Sequence, residues 1–198
     1  MEKRTNPFYQ IHNLLEKRWS PRAFNGQKIE KEKLQRIFEA ARWSPSASNE
    51  QPWYYIVGEK GDETFTKIFD TLVEFNQLWV KTAPLAVIAI GRVQLLKSGK
   101  ENPWFRYDVG QSAAHMTFQA MSEGLYVHQM GGFDAEKARL IFEIPEGYEA
   151  ISAIAIGYPG DYKVLHPNLQ KLELAERDRK PTDAFVFSTT FGGKTELI

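Results

Sequence analysis

The sequence predicts a domain built on a β-sheet that helices cover on both faces, of the α/β or α+β class. Three observations carry that expectation. Residues 85–90 form an unbroken apolar run closed by Gly91, and residues 151–157 alternate β-branched residues with alanine, so both read as strands without a solvent face. Between such runs, apolar residues recur at helical spacing, as at Leu34, Ile37, Phe38 and Ala41. The doubly wound nucleotide fold is disfavoured, because no glycine-rich turn follows the first strand and no Walker-type loop is present.

The elements follow in order. Asn6 is a helix cap with Pro7 at the first helical position, and Phe8, Ile11 and Leu15 continue the period. A second helix is expected over 31–43, then a strand over 53–57 from its aromatic and β-branched content. Phe65, Ile68, Phe69, Leu72 and Val73 mark a third helix that ends before Pro84 and carries Asn76 late in its course. After the 85–90 strand, a long helix spans 104–123 with Gly124 as its stop. A strand over 126–130, a short helix capped by Asp134 and running to Phe142, and the 151–157 strand complete the core. Beyond Tyr158 the texture turns polar, with a last short strand expected over 184–188. The tail from about 160 to 198 is too thin to build a core, so the chain reads as one domain, 1–198, whose tail packs on it or on a partner chain.

Composition narrows the function. The 198 residues include 42% apolar and 13% aromatic side chains, ordinary for a globular chain with a sizeable core. No cysteine is present, which excludes a disulfide framework, thiolate metal ligation and a thiol nucleophile, and fits a reducing cytoplasm. Lys and Arg number 25, as do Asp and Glu, so no global field recruits nucleic acid or membrane, and any anion site must be local. No run reaches the roughly 20 apolar residues of a membrane helix. His12, His115, His128 and His166 lack metal-ligand spacing and read as structural, while Glu30 and Glu32 read as a solvated helix face.

Two segments are candidates for chemistry. In Arg18-Trp19-Ser20-Pro21-Arg22, two guanidinium groups and a hydroxyl lie within five residues around a stiffening proline, a set that can converge on a phosphate or simply form a solvated basic turn. In Ser44-Pro45-Ser46-Ala47-Ser48-Asn49-Glu50-Gln51-Pro52-Trp53, small polar residues link a helix to a strand, and they equally suit a capping loop. Neither segment decides the matter alone. Trp104, Phe105 and Tyr107 open the long helix, either as core or as a substrate contact.

The order and spacing of these pieces carry more. Arg-x-Ser-x-Arg-x-Phe, an amphipathic helix ending Glu-Ala-Ala-Arg-Trp, then Ser-Pro-Ser-x-x-Asn-x-Gln-Pro-Trp resembles the nitroreductase family of flavoproteins. Asn76, Met130-Gly131-Gly132-Phe133-Asp134, Ile156-Gly157-Tyr158-Pro159 and the basic Arg179-Lys180-Pro181 agree in order, so the resemblance spans about residues 11 to 185. It implies a three-layer α+β sandwich with a mostly antiparallel sheet of four or five strands, in an intertwined homodimer with FMN at the interface. Arg18 and Ser20 would hold the FMN phosphate, with Arg177 or Arg179 assisting and Trp19 beside them. Arg22 and Asn76 would meet the pyrimidine edge of the ring, and Met130, Gly131 and Gly132 would bring backbone N–H groups to flavin N5 and O4. Pro45, Ser46, Ala47, Ser48 and Asn49 would reach the flavin of the other subunit. NADH or NADPH would deliver hydride, and a small acceptor such as a nitroaromatic, quinone or enone would take it in a ping-pong cycle, with no metal and no catalytic side chain required. Rival expectations are reductive dehalogenation or flavin fragmentation on the same scaffold, and a flavin-binding redox sensor with little turnover. This sequence departs from the family at Ala47, where relatives carry serine, and at Trp79, where some carry lysine; a tryptophan there would stack on or shape the pocket.

Overall fold

The computed structural model describes residues 3–5 and 7–197. In chain order its elements are α1 (Asn13–Lys17), α2 (Lys31–Arg42), β1 (Trp53–Glu59), α3 (Glu63–Thr71), α4 (Glu74–Val80), β2 (Leu85–Arg92), α5 (Phe105–Ser122), β3 (Tyr126–Met130), α6 (Ala135–Ile141), β4 (Tyr148–Gly157) and α7 (Pro167–Leu174). Every residue of β2 is buried, and the strand lies inside the sheet, whose order is β1-β2-β4-β3. All three pairings are antiparallel, with Ile88 opposite Ile56 on one side and Ala153 on the other. An unbroken apolar run often signals a parallel strand; here the same burial comes from helices on both faces.

Side chains alternate across β2, and this alternation builds two cores. Ala86, Ile88 and Ile90 point to one face with Ala153 and Ala155, under Phe65 and Ile68 of α3, Trp79 and Val80 of α4 and Ala138 of α6. Leu85, Val87 and Ala89 point to the other with Ile154 and Ile156, under Ile37 and Ala41 of α2 and Val109, Ala113, Met116 and Ala120 of α5. The result is the three-layer α+β sandwich the resemblance implied. None of the described helices is long and apolar enough to cross a membrane.

Three expectations fail. Asn6 lies outside the described residues, and Pro7 to Ile11 are not helical; α1 begins only after His12, whose Nδ1 accepts from the Leu14 N–H at 3.2 Å. Phe8 and Tyr9 are 92% and 72% exposed, so the expected first turns have no surface to pack on, and an unpacked short helix does not form on propensity alone. The expected third helix is two helices. Leu72 turns extended at ψ 146° and bridges to Phe133, while the Val73 N–H donates to the Gly132 carbonyl at 3.2 Å, so the chain leaves the helix to pair with the segment after β3. Asn76 therefore sits in the first turn of α4. Residues 184–188 form no strand: Thr182–Ala184 is a 3₁₀ turn and Phe185 is exposed. The first part of the tail packs on its own chain, with Leu165 and Leu169 joining the core under α7.

Candidate cofactor site

The 18–22 segment leaves α1 in extended backbone, so its side chains alternate. Trp19, Pro21 and Ala23 are buried, whereas Arg18, Ser20 and Arg22 are half-exposed on the opposite side. Trp19 anchors the run edge-on to Tyr126 at 6.3 Å. Arg18 Nη1 donates to Ser20 Oγ at 3.2 Å, and both line a cavity of about 280 Å³ with Ala114, Thr117 and Phe118 of α5 and Val127 and Gln129 of β3. Burial, then Arg177 and Arg179, lowers the pKa of Arg18. The charges that weigh on it are all cationic, which leaves the guanidinium poised for an anion.

From that pocket β3 runs to Met130, and the chain continues through Gly131 and Gly132. At about 3.3 Å per residue, these glycines lie from roughly 7 Å (Gln129 to Gly131) to roughly 17 Å (Val127 to Gly132) along the chain from the cavity lining. Met130 turns its side chain into the core, as Trp19 does, which leaves backbone at both positions. Neither Gly131 nor Gly132 donates its N–H to any described residue, and no heavy atom lies within 4 Å of a Cβ built on Gly131. Asn76, buried in α4, donates from Nδ2 to the Gly132 carbonyl at 2.9 Å. A Cβ on Gly132 would fall 2.6 Å from that Nδ2, so any side chain here displaces the Asn76 amide. The Arg22 guanidinium lies 6.0 Å from the ring of Phe75, on the helix that carries Asn76.

The 44–53 loop is the most strained backbone in the chain. Ser48, Asn49 and Gln51 have φ of 51°, 57° and 47°, the left-handed region that side-chain-bearing residues rarely adopt. Several anchors hold it. Ser46 Oγ accepts the Gln51 N–H at 3.0 Å, Asp108 of α5 accepts the Ala47 N–H at 3.2 Å, and His115 Nδ1 meets Ser44 Oγ at 2.9 Å. Glu50, buried, pairs with buried Arg92 at 2.9 Å and accepts the Leu96 N–H at 2.8 Å. The Ser48 hydroxyl and the Asn49 amide, both exposed, have no partner among the described residues. Pro45, Ser46 and Ala47 line a second cavity, about 180 Å³, with Trp104, Tyr107, Asp108 and Gln111. Gln111 and Thr117 are roughly 9 Å apart along α5, so within one chain this loop stands away from the Arg18 pocket.

Other candidates resolve differently. Phe105 is core, while Trp104 and Tyr107 are 57% and 66% exposed at the second cavity. Trp79 is fully buried, its ring 4.4 Å from His128 and 6.3 Å from Phe24, so it is packed inside rather than lining a pocket. Arg177 directs both terminal nitrogens at main-chain carbonyls, those of Glu16 (2.5 Å) and Arg18. Arg179 is exposed and bonded to the Asp178 carbonyl at 2.5 Å. Sequence reading missed Glu173, 1% exposed in α7, whose carboxylate accepts the N–H groups of Arg22 and Ala23. It also missed His128 as the donor to the Pro21 carbonyl at 2.9 Å. A carboxylate 150 residues from its partner leaves no local signal. No group that could hold a metal exists among the described residues.

The fold sets two features along β3: a cavity lined by Arg18 and Ser20, and free backbone N–H groups just past the strand's end. The chain's family follows from comparison with known proteins. Residues 15–158 match the nitroreductase family, and the chain belongs to that family. A crystal structure described as an oxidoreductase containing FMN is 33% identical, with a TM-score of 0.90 over 96% of each chain. A nitroreductase family protein of Clostridium difficile 630 is 26% identical, with a TM-score of 0.69 over 89% of this chain and 96% of its own. A protein of Archaeoglobus fulgidus with the provisional name NADH dehydrogenase/NAD(P)H nitroreductase is 28% identical over 150 residues, 74% of this chain and 83% of its own.

Proposed function

We propose that this protein is an FMN-dependent oxidoreductase that takes hydride from NADH or NADPH and passes it to a small acceptor, a nitroaromatic or quinone, in a ping-pong cycle. The observation that carries the reading is Arg18: half-buried, hydrogen-bonded to Ser20, under the like charges of Arg177 and Arg179, in a cavity whose lining reaches Gln129, two residues before Gly131 on the chain. FMN supplies the redox chemistry, accepting two electrons from the nicotinamide and releasing them to the second substrate. The chain's own residues bind and orient it. Arg18, Ser20 and Arg179 hold the phosphate by charge-assisted hydrogen bonds. Arg22 and Asn76 meet the polar edge of the ring, and the Gly131 and Gly132 N–H groups supply donors where charge accumulates on reduction.

The left-handed backbone of Ser48 and Asn49, with their exposed side chains unbonded among the described residues, supports the assignment of residues 45–49 to the neighbouring subunit's pocket, in a homodimer. The tail after α7, rich in exposed residues such as Phe185 and Phe191, packs on that partner.

Purified protein is expected to be yellow and to bleach anaerobically with NADH or NADPH, with parallel double-reciprocal plots against the acceptor. Protein that is colourless and takes up no FMN would falsify the reading. Arg18→Ala is expected to weaken FMN binding at least about tenfold. Arg42→Ala, whose exposed guanidinium pairs with Glu39, is expected to leave it within about twofold. Equal losses would remove Arg18 from the phosphate site.

A further inference from the structure

The C-terminal segment grips the 18–22 loop from both sides with complementary chemistry. Glu173, in the last turn of α7, is an acceptor-only side chain facing donors. Its Oε1 takes the Arg22 N–H at 2.8 Å and the Ala23 N–H at 3.0 Å, Oε2 takes Arg22 again at 3.1 Å, and the Arg22 guanidinium stands 3.8 Å away. Arg177, a donor-only side chain four residues on, faces acceptors: the carbonyls of Glu16 and Arg18 at the C-terminal end of α1. Those carbonyls have no intrahelical partner and carry the negative end of the helix dipole. A third point is fixed from β3, where His128 donates to the Pro21 carbonyl. The segment is itself anchored, because Leu165 and Leu169 are 5% and 1% exposed in the core. Lys3 adds a tie from Nζ to the Glu173 carbonyl at 2.8 Å.

Neither Glu173 nor Arg177 lines the Arg18 cavity. Both lie beyond residue 158, where the match to the family ends. With both terminal nitrogens of Arg177 committed to carbonyls, Arg179 is the tail guanidinium left for an anion.

We propose that Glu173 and Arg177 are positioning residues that clamp the 18–22 loop in its anion-binding shape and so set the preference for a phosphorylated flavin over an unphosphorylated one. The inference rests on the FMN reading above. Its physical basis is preorganisation: Arg18, Ser20 and Arg22 stay on one side of an extended backbone in which the Arg22 and Ala23 N–H groups and the Arg18 and Pro21 carbonyls are already paired, so the phosphate need not order them. Glutamine at 173 keeps one oxygen for the Ala23 N–H but sets an NH2 where Oε2 accepts the Arg22 N–H and faces its guanidinium, donor against donor, so the hold on Arg22 is broken.

Glu173→Gln gives a test in which two explanations predict opposite signs. Through charge alone, removing a carboxylate beside a phosphate site strengthens FMN binding; through positioning, it weakens it. Wild type, Glu173→Gln, Arg177→Met and Arg177→Lys are titrated, as flavin-free protein, with FMN and with riboflavin by quenching of flavin fluorescence. The expected result is a fall of about tenfold or more in the FMN-to-riboflavin affinity ratio for Glu173→Gln and Arg177→Met. Riboflavin affinity should stay within about threefold, and Arg177→Lys should recover part of the ratio. An unchanged or raised ratio in Glu173→Gln, or equal weakening of both flavins, overturns the clamp. If Arg177→Met does not fold, Glu173→Gln and Arg177→Lys decide by the same ratio. Wild type that binds neither flavin overturns the FMN reading and the clamp with it, whereas FMN-selective wild type with unaltered variants overturns the clamp alone.

Discussion

Replacing His128 with glutamine separates the support beneath the 18–22 loop from every other titrating group. The imidazole lies against Trp79 at 4.4 Å and donates from Nδ1 to the Pro21 carbonyl at 2.9 Å, which fixes the proton on Nδ1. Burial pushes its pKa down to about 4, with Arg22 and Arg18 adding repulsion and the Pro21 bond opposing the shift. The folded protein thus binds a proton on His128 more weakly than the unfolded chain, where the value is the ordinary 6.5. Its neutral form carries full stability above pH 6.5, and stability is lost as pH falls from 6.5 towards 4. The gap between those values, at about 1.36 kcal/mol per pH unit, amounts to about 3 kcal/mol when complete and about 2.5 kcal/mol by pH 4.5. Glutamine retains an N–H donor for Pro21 and does not titrate. Urea unfolding of flavin-free wild type and His128→Gln at pH 7.5 and 4.5 measures the difference. Wild type should lose about 2.5 kcal/mol more than the variant over that span, a relative midpoint shift of roughly 1 M urea. Carboxylates held below their ordinary range, such as Glu50 and Glu123, titrate alike in both proteins and cancel. Equal losses in the two proteins would refute the argument that His128 is held neutral beneath the loop.

Two glycines give further outcomes. Gly132→Ala places a methyl 2.6 Å from Asn76 Nδ2 and 3.0 Å from Val73 Cγ2, both side-chain atoms that can move, so stability should change by no more than about 1 kcal/mol while FMN affinity drops at least about fivefold. Gly131→Ala, which meets nothing within 4 Å, is the control, and equal effects in flavin titration would dismiss the displaced Asn76 as the cause. Gly58→Ala drives a methyl to 2.3 Å from the Phe65 nitrogen, main chain against main chain where α3 crosses β1, and neither can yield. A loss of about 3 kcal/mol and a melting midpoint lower by at least about 5 °C follow, and a midpoint within 2 °C or so would refute the close approach.

Much of this protein is determined by local sequence. The apolar runs at 85–90 and 151–157 read as covered strands, and they fall in the two inner strands of the sheet. Gly124, at φ 78°, ends α5 where its position in the pattern placed the stop. Alternation of Arg18, Ser20 and Arg22 with Trp19, Pro21 and Ala23 was also present in the residue types, since buried and half-exposed partners suit an extended run. Tertiary structure decided the rest. Phe8 and Ile11 had helical spacing but no surface to bury against; Leu72 and Val73 had helical neighbours but a better partner in Gly132 and Phe133. Trp79, expected to stack on or shape a pocket, lies in the core, because α4 starts afresh after that break and turns it beneath Phe24 and His128. Above all, the backbone partners of Glu173, Arg177 and His128 are not declared in sequence. Periodicity and propensity act over a few residues, whereas the pairing of a backbone amide or carbonyl is settled by whichever side chain the completed fold delivers, here from 107 to 161 residues away.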